Sequence, residues 1–359
     1  MLPAQLYERH RPPLAKRKKQ SPSPGRKAAG AKPGGGSPPG GLLNRRAARL
    51  ADFTMKRLDD LGVDLLRLST GTTVLDFGAH APGGLEAGIV LARLSSADLL
   101  DVSIDSGTLA GRPWPHAAVR TDDPISACLR CQYAGRKVEL ADSSGGQFFA
   151  MASGPLRAAC DEEELIRKLG GSEEARRAVG VLETRQIPPP NVAAHLAESA
   201  GLAPDKLILC IAPTASLAGT VQIAARSVET ALHKLDALGF DVGRVRSGVG
   251  SAPLAPAGGE DSVALGRTND SILYGARVTL WIEADQAELR DLVSKVPSES
   301  SPQHGRPFAE LLAEAGGNFY DLDPLLFSPA QVTLIGLRDG SAVSAGTLRE
   351  DLLARSFGL

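Results

Sequence analysis

From Leu43 onward the apolar positions fall into two regimes. Short apolar runs bounded by Gly, Pro or Asp predict strands at Thr73–Phe77, Leu99–Ile104, Lys137–Leu140, Phe148–Met151, Val179–Leu182, Leu207–Ile211, Arg277–Ile282 and Val332–Leu337. Between several of them the spacing shifts toward 3.6 residues and predicts helices at Leu85–Leu94, Glu162–Leu169, Val192–Ser199, Leu217–Leu238, Asp285–Val293 and Phe308–Ala315. This alternation is that of an α/β or α+β protein. Asp339-Gly340, between two strand-like runs, predicts a hairpin turn. No fixed period recurs, which excludes solenoids and propellers.

The stretch Leu217–Leu238 reads as the longest helix, with Ser216 as N-cap and Gly239 just past its end. At 100° per residue, Leu217, Val221, Ala224, Val228, Ala231, Leu235 and Leu238 centre on one side, while Arg226, Glu229, Thr230 and His233 gather opposite. Arg226 and Glu229 are i,i+3 neighbours and within reach of each other. Two readings stay open. A solvated polar face would carry a weak surface ion pair, whereas a cleft wall would bury the carboxylate, raising its pKa by desolvation against the lowering effect of Arg226. Opposed effects of that kind can poise a general base near neutrality.

Three further stretches are rich in small residues. Asp76-Phe77-Gly78-Ala79-His80-Ala81-Pro82-Gly83-Gly84-Leu85-Glu86 leaves one strand and opens a helix, and its glycines permit close backbone approach to a ligand. Gly83, Gly84 and Glu86 are candidate pocket residues there, although an ordinary turn with a dipole-compensating Glu86 fits as well. Ala212–Thr220 adds Thr214 and Ser216. Ser247–Pro256 has the composition of a rigid pocket-lining loop, followed by Arg267, Thr268, Asn269 and Asp270, whose polar groups either pair among themselves or meet a polar ligand.

The 359 residues carry a net charge of −1, but unevenly. Residues 1–50 hold 12 Lys/Arg and a single acid, Glu8, so this segment is +11 and the remainder −12. Within Ser21–Gly41, 12 of 21 residues are Pro or Gly, which predicts a disordered basic tail over 1–42 followed by a folded region over 43–359. Lys16-Arg17-Lys18-Lys19 could hold an anionic surface or nucleic acid, but with no aromatic interleaving a solvated tail is favoured. The absence of a long apolar run or an apolar signal segment points to a cytoplasmic protein with no membrane partner. Cys128-Leu-Arg-Cys131 has no second pair or nearby His pair to complete a zinc site, and the six histidines show no paired spacing. Neither a phosphate loop, an HExxH helix nor a GxSxG elbow occurs, and Gly248-Val-Gly250 lacks the third glycine of a dinucleotide fingerprint.

Taken together, VLDFGAHAPGGLEAG (74–88), the TDDP…AC…CQYAG region (121–135), FFAMASGPLRAA (148–159), VGVLET (179–184), APTASLAGTVQIAARSVETALHKLDALGFD (212–241), GRTNDSILYGARVTLW (266–281), the VPS…GRPFAE region (296–310) and FYDLDPLLFSPA (319–330) resemble the methenyltetrahydromethanopterin cyclohydrolase family. These stretches follow the family's order over about 44–346. The resemblance implies two intimately joined α/β domains, here with a border near 185–215, an active-site pocket between them, and a homotrimer without metal or dissociable cofactor. It also implies interconversion of 5,10-methenyl- and 5-formyltetrahydromethanopterin, a step of formaldehyde oxidation in bacteria that oxidise C1 compounds. The implied catalytic pair is Arg226 and Glu229, on the polar face described above. Gly83, Gly84, Glu86, Thr214 and Ser216 are expected to line the pocket, with Arg267, Thr268 and Asn269 as polar contacts to the pterin or its side arm. His304 departs from the family pattern, where an aromatic residue is expected. A non-catalytic pterin-binding protein and an oxidoreductase acting on the same C1 carrier are the competing readings.

Overall fold

The computed structural model describes residues 42–141, 146–318 and 321–359. The expected tail, with its Lys16–Lys19 cluster, lies outside the described residues except for Leu42, which opens the first helix. The strands are β1 (Asp64–Arg67), β2 (Thr73–Asp76), β3 (Asp101–Leu109), β4 (Arg112–Thr121), β5 (Arg136–Ala141), β6 (Gln147–Ser153), β7 (Ala178–Glu183), β8 (Leu207–Ala212), β9 (Val245–Pro253), β10 (Arg277–Ile282), β11 (Gln331–Gly336) and β12 (Ala342–Gly346). The helices are α1 (Leu42–Thr54), α2 (Leu58–Leu61), α3 (Leu85–Ser95), α4 (Leu156–Ala159), α5 (Glu164–Lys168), α6 (Pro190–Ser199), α7 (Leu217–Ala224), α8 (Ser227–Ala237), α9 (Asp261–Gly275), α10 (Gln286–Val293), α11 (Phe308–Glu314) and α12 (Glu350–Phe357), with a π-helix at Ile125–Gln132.

The strands form two six-stranded sheets within one compact unit. Sheet one runs β1-β2-β8-β7-β6-β5, and its centre is parallel: β2 and β7 both flank β8 in the same direction, with α6 as the β7–β8 crossover. Sheet two runs β12-β11-β10-β9-β4-β3 and is antiparallel except for the β10–β11 pair. This is the α/β architecture expected. The two sheets draw on the chain alternately, since β3 and β4 leave sheet one to join sheet two before β5–β8 return. A border at 185–215 would pass between β7 and β8, which are paired neighbours.

Burial explains the two sequence patterns. Sheet one is covered on both faces: Leu75, Val181, Ile208 and Cys210 meet α1 and α3, while Val74, Leu182, Leu209 and Ile211 meet α6. Its central strand β8 is therefore apolar throughout. Sheet two buries one face, where Val278, Leu280, Ile282, Val332 and Leu334 pack against Val228, Ala231, Leu232 and Leu235 of α8 and Leu289 and Val293 of α10. Its strands alternate accordingly, and Thr279, Trp281, Thr333 and Ile335 lie on the other face.

Three expectations require correction. Leu217–Leu238 is two helices, α7 and α8, separated at Ala225-Arg226. No Pro or Gly marks the break; the Ala225 carbonyl accepts from Nε2 of Gln132 in the π-helix (3.1 Å), so a distant amide takes an oxygen that a continuous helix would have used. The 15-residue α9 is the longest described helix, and it contains the Gly266–Gly275 stretch that reads as polar loop. The expected loop at Ser247–Pro256 is mostly strand β9, with Leu254 onward beyond its end. There the glycines serve close packing: a Cβ on Gly250 would meet Ser227 Oγ at 2.3 Å, and one on Gly248 would meet Val228 Cγ1 at 2.8 Å. The hairpin at Asp339-Gly340 is present, with Gly340 at φ +71° between the antiparallel β11 and β12.

Candidate functional site

Ligands of open α/β sheets bind beyond the carboxyl ends of the parallel strands. In sheet one those ends are Asp76, Glu183 and Ala212. The Asp76 carboxylate gathers four backbone amides, from Gly78 (2.9 Å), Ala79 (2.6 Å), His80 (2.8 Å) and Ala81 (3.2 Å), and so fixes the loop that follows β2. Gly83 sits at φ +62°, where a Cβ would come within 2.3 Å of the Phe77 carbonyl oxygen. Gly84 stands at the N-cap of α3, and Glu86 is exposed in its first turn. Beyond β8, Ser216 caps α7 as expected: its Oγ accepts from the Gly219 amide (3.0 Å) and donates to the Pro213 carbonyl (2.8 Å). The two loops abut, since a Cβ on Gly78 would lie 2.7 Å from that of Ser216, and Thr214 is half-buried beside them.

Arg226 and Glu229 lie at the start of α8, which is wedged between the buried face of sheet two and the end of β7. Only 8 % of Arg226 and 3 % of Glu229 are exposed, so the polar face is a buried wall and the solvated reading is excluded. The two side chains do not form the ion pair their spacing allowed. Arg226 Nη2 instead donates to Glu183 Oε1 (2.5 Å) and lies 3.5 Å from Ser153 Oγ. Gln222, one turn earlier on α7, completes the grip: with its amide oxygen facing the guanidinium it accepts from Nε (3.1 Å) and Nη2 (2.6 Å).

Glu229 is left buried without a hydrogen-bond donor among the described residues. Burial pushes its carboxyl up to about 7; the Arg226 and Arg157 guanidiniums pull it down and the Glu183 carboxylate pushes it up. Arg157 is itself fully buried, paired with Glu163, donating to the Leu129 carbonyl (3.0 Å), and stacked 5.0 Å from the Tyr133 ring centroid. Tyr133 stacks in turn on His233 (4.6 Å), whose pKa is lowered chiefly by burial. Cys128, in the π-helix, is buried with an unpaired thiol that desolvation and the nearby Glu229 charge keep protonated. Glu183, Gln222, Gln132, Arg157 and Tyr133 escape the sequence reading because their roles arise from contacts across elements. The nearest signal is that all of them fall within family-like stretches.

Arg267, Thr268 and Asn269 lie on α9, and their polar atoms are used locally. Arg267 Nε donates to the Ser356 carbonyl (3.2 Å), Thr268 Oγ1 to Ala264 (2.9 Å), and Asn269 Nδ2 to Leu265 (2.8 Å). Asp270 accepts from the Phe308 amide (2.8 Å) and Ser356 Oγ (2.6 Å). None of these bonds reaches Arg226 or Glu229. Ser247, Gly248 and Val249 do border a cavity of about 550 Å³, together with Leu99, Arg120 and Trp281, but it opens on sheet two away from Glu229.

A protein-family model described as "Cyclohydrolase (MCH)" matches residues 42–357. The methenyltetrahydromethanopterin cyclohydrolase of Rhodopirellula baltica is 45% identical over 294 residues, 80% of this chain and 87% of the relative. Its namesake from Methanosarcina barkeri is 38% identical over 88% of this chain and 98% of its own length. That from Methylobacterium sp. (strain 4-46) is 42% identical over 88% and 97%. The comparisons thus agree with the resemblance read from the sequence, and the chain belongs to the methenyltetrahydromethanopterin cyclohydrolase family.

Proposed function

We infer that this protein is a hydrolase of C1 metabolism that interconverts 5,10-methenyltetrahydromethanopterin, with water, and the 5-formyl derivative; in bacteria that oxidise C1 compounds this is a step from formaldehyde to formate. The observation that carries the mechanism is the buried, unpaired Glu229 carboxylate, poised near neutral and set beside an arginine anchored elsewhere. The substrate's positive charge is shared over an N–C–N amidinium. Water attacks the central carbon, and Glu229 accepts the proton that attack releases, giving a neutral carbinolamine. The carbinolamine then collapses. Its hydroxyl loses a proton as the C–N10 bond breaks, N10 gains one directly from Glu229 or through water, and one proton leaves to solvent. Arg226, fixed by Glu183 and Gln222, supplies a stationary positive charge that limits the rise in the Glu229 pKa.

In this reading Gly83, Gly84, Glu86, Thr214 and Ser216 line the pterin pocket, supported by the abutting loops at the carboxyl edge of sheet one. Arg267, Thr268 and Asn269 are assigned to the pterin side arm on the family resemblance, although Thr268 and Asn269 bond within α9 and Arg267 bonds to the Ser356 carbonyl of α12. The chemistry draws on protein side chains and substrate alone, with no metal or cofactor. We place the catalytic region at 43–359, two closely associated α/β subdomains, in a cytoplasmic homotrimer. Light scattering would test the assembly against three times the 37.4 kDa chain. The activity is tested by following loss of the amidinium absorbance with methenyltetrahydromethanopterin. Rapid loss that Glu229→Gln abolishes supports the reading; equal rates in the two proteins remove Glu229 from it.

A further inference from the structure

The VGVLET stretch ends at Glu183, whose carboxylate the mechanism above uses only as an anchor. Three groups on three elements bear on one guanidinium: Glu183 on β7, Gln222 on α7, and Ser153 on β6. Glu183 and Ser153 draw Arg226 toward sheet one, and Gln222 holds it from α7. Arg226 sits one turn before Glu229 and would otherwise be its natural partner. With Glu183, Arg226 and Glu229 all ionised, the trio carries one net negative charge, matching the single positive charge of the amidinium.

We propose that Glu183 is a positioning residue for catalysis: it holds the Arg226 guanidinium beside Glu229 rather than on it, so that the Glu229 carboxylate stays unpaired and able to take the proton of the attacking water. The inference rests on Glu229 as the base. A guanidinium closed onto Glu229 would occupy its lone pairs and weaken it as a base. The charged or titratable groups bearing on Glu229 are Arg226 at its own helix start, Glu183 from β7, Arg157 from α4 and the Cys128 thiol from the π-helix. Of these, Glu183 raises the proton affinity of Glu229 by its own charge, and it also restrains Arg226, the stronger of the two cations that lower it. Both effects vanish together when Glu183 is neutralised.

The test compares pH–rate profiles of the unmodified protein, Glu183→Gln, Gln222→Glu and the double variant, alongside an infrared titration of the Glu229 carboxyl, identified by its loss in Glu229→Gln. Glu183→Gln keeps the side chain's shape. It should move the acidic midpoint down by about half a unit or more and lower the plateau kcat by roughly 3- to 10-fold, as a weaker base would. Gln222→Glu adds a carboxylate on the other flank of the guanidinium and should move the midpoint up. The double variant should return it toward the starting value, a rescue that a merely structural role for Glu183 would not produce. An unmoved or raised midpoint in Glu183→Gln overturns the proposal. If that variant does not fold, Gln222→Glu decides alone, and no upward movement overturns it. The infrared midpoints keep the base assignment separate: rates without an acidic limb beside a Glu229 that titrates near 7 would remove Glu229 as base, while the titrations still judge the hold of Glu183 on Arg226.

Discussion

Gly250→Ala is a small change, and it should be costly. Gly250 lies in the middle of β9, pinned by pairing with Val119 on one side and Val278 on the other, so the strand cannot yield freely. An added methyl would meet Ser227 Oγ at 2.3 Å, Val228 Cγ2 at 3.0 Å and Ser227 Cβ at 3.1 Å. Rotating the serine hydroxyl away relieves only the first. Restoring ordinary carbon contacts of about 3.5 Å requires α8 to move by roughly 0.5 Å after that rotation, and by about 1 Å without it. Overpacking of this kind costs roughly 1–3 kcal/mol. Because Arg226 and Glu229 flank Ser227 and Val228, the same displacement moves the proposed base, and a shift approaching 1 Å is worth about 10²-fold in rate. Purified Gly250→Ala should therefore show a Tm lower by a few degrees and a kcat reduced by roughly 10- to 100-fold. Adding Ser227→Ala, which removes the nearest atom, should recover part of both. A Gly250→Ala enzyme with unchanged kcat would refute the claim that this contact sets the position of α8.

The unmodified enzyme should hydrolyse substrate with an acidic limb near pH 7, because the proposed base, Glu229, must be ionised. The ionised fraction of a group titrating at about 7 falls roughly tenfold between pH 8 and pH 6; a rate flat across that range would exclude Glu229. Asp270 is fully buried and titrates near 7 for lack of solvent, well above the roughly 3.9 of an unfolded chain. Between those values the folded state binds the extra proton, so Asp270 should make stability fall as pH rises from about 4 to 7 and level off above it. Denaturation midpoints of Asp270→Asn against the parent should diverge in favour of the variant toward pH 8, and parallel curves would deny that burial. Asn44 is buried and bonds to the Pro155 carbonyl (2.6 Å), Glu173 (2.7 Å) and the Val179 amide (3.0 Å). Asn44→Ala should cost about 2–4 kcal/mol in urea unfolding, since it strands buried partners.

The sequence made legible those elements whose burial is simple. Strand β10 falls on its expected residues because its inward positions Val278, Leu280 and Ile282 alternate with Thr279 and Trp281. Ser216 and Gly239 were readable as helix ends because capping is local chemistry. Helix α9 was not readable, since its buried face includes Thr268, Asp270 and Ser271, whose polar groups bond to the helix's own carbonyls, to Phe308 and Ser356, and to the Pro253 carbonyl, and so erase the apolar period. The break between α7 and α8 comes from Gln132, 93 residues away. The helical wheel placed Arg226 and Glu229 on one face and stated the condition for burial. It could not show that Arg226 would choose Glu183, since that choice depends on where β7 ends.

The way the chain shuttles between its two sheets has a consequence for how the protein is made. Sheet one can close once β8 has emerged at Ala212, but the β3–β4 hairpin, synthesised long before, must wait for β9 at Val245–Pro253 to reach its first partner outside the hairpin. Pairings so distant along the chain are slow to form, and the hairpin's edge stays open to other molecules meanwhile. Helix α8 is translated inside that interval. The proposed base it carries reaches its buried setting only when the second sheet assembles beneath it, so maturation of the proposed site and closure of the fold should be a single kinetic event.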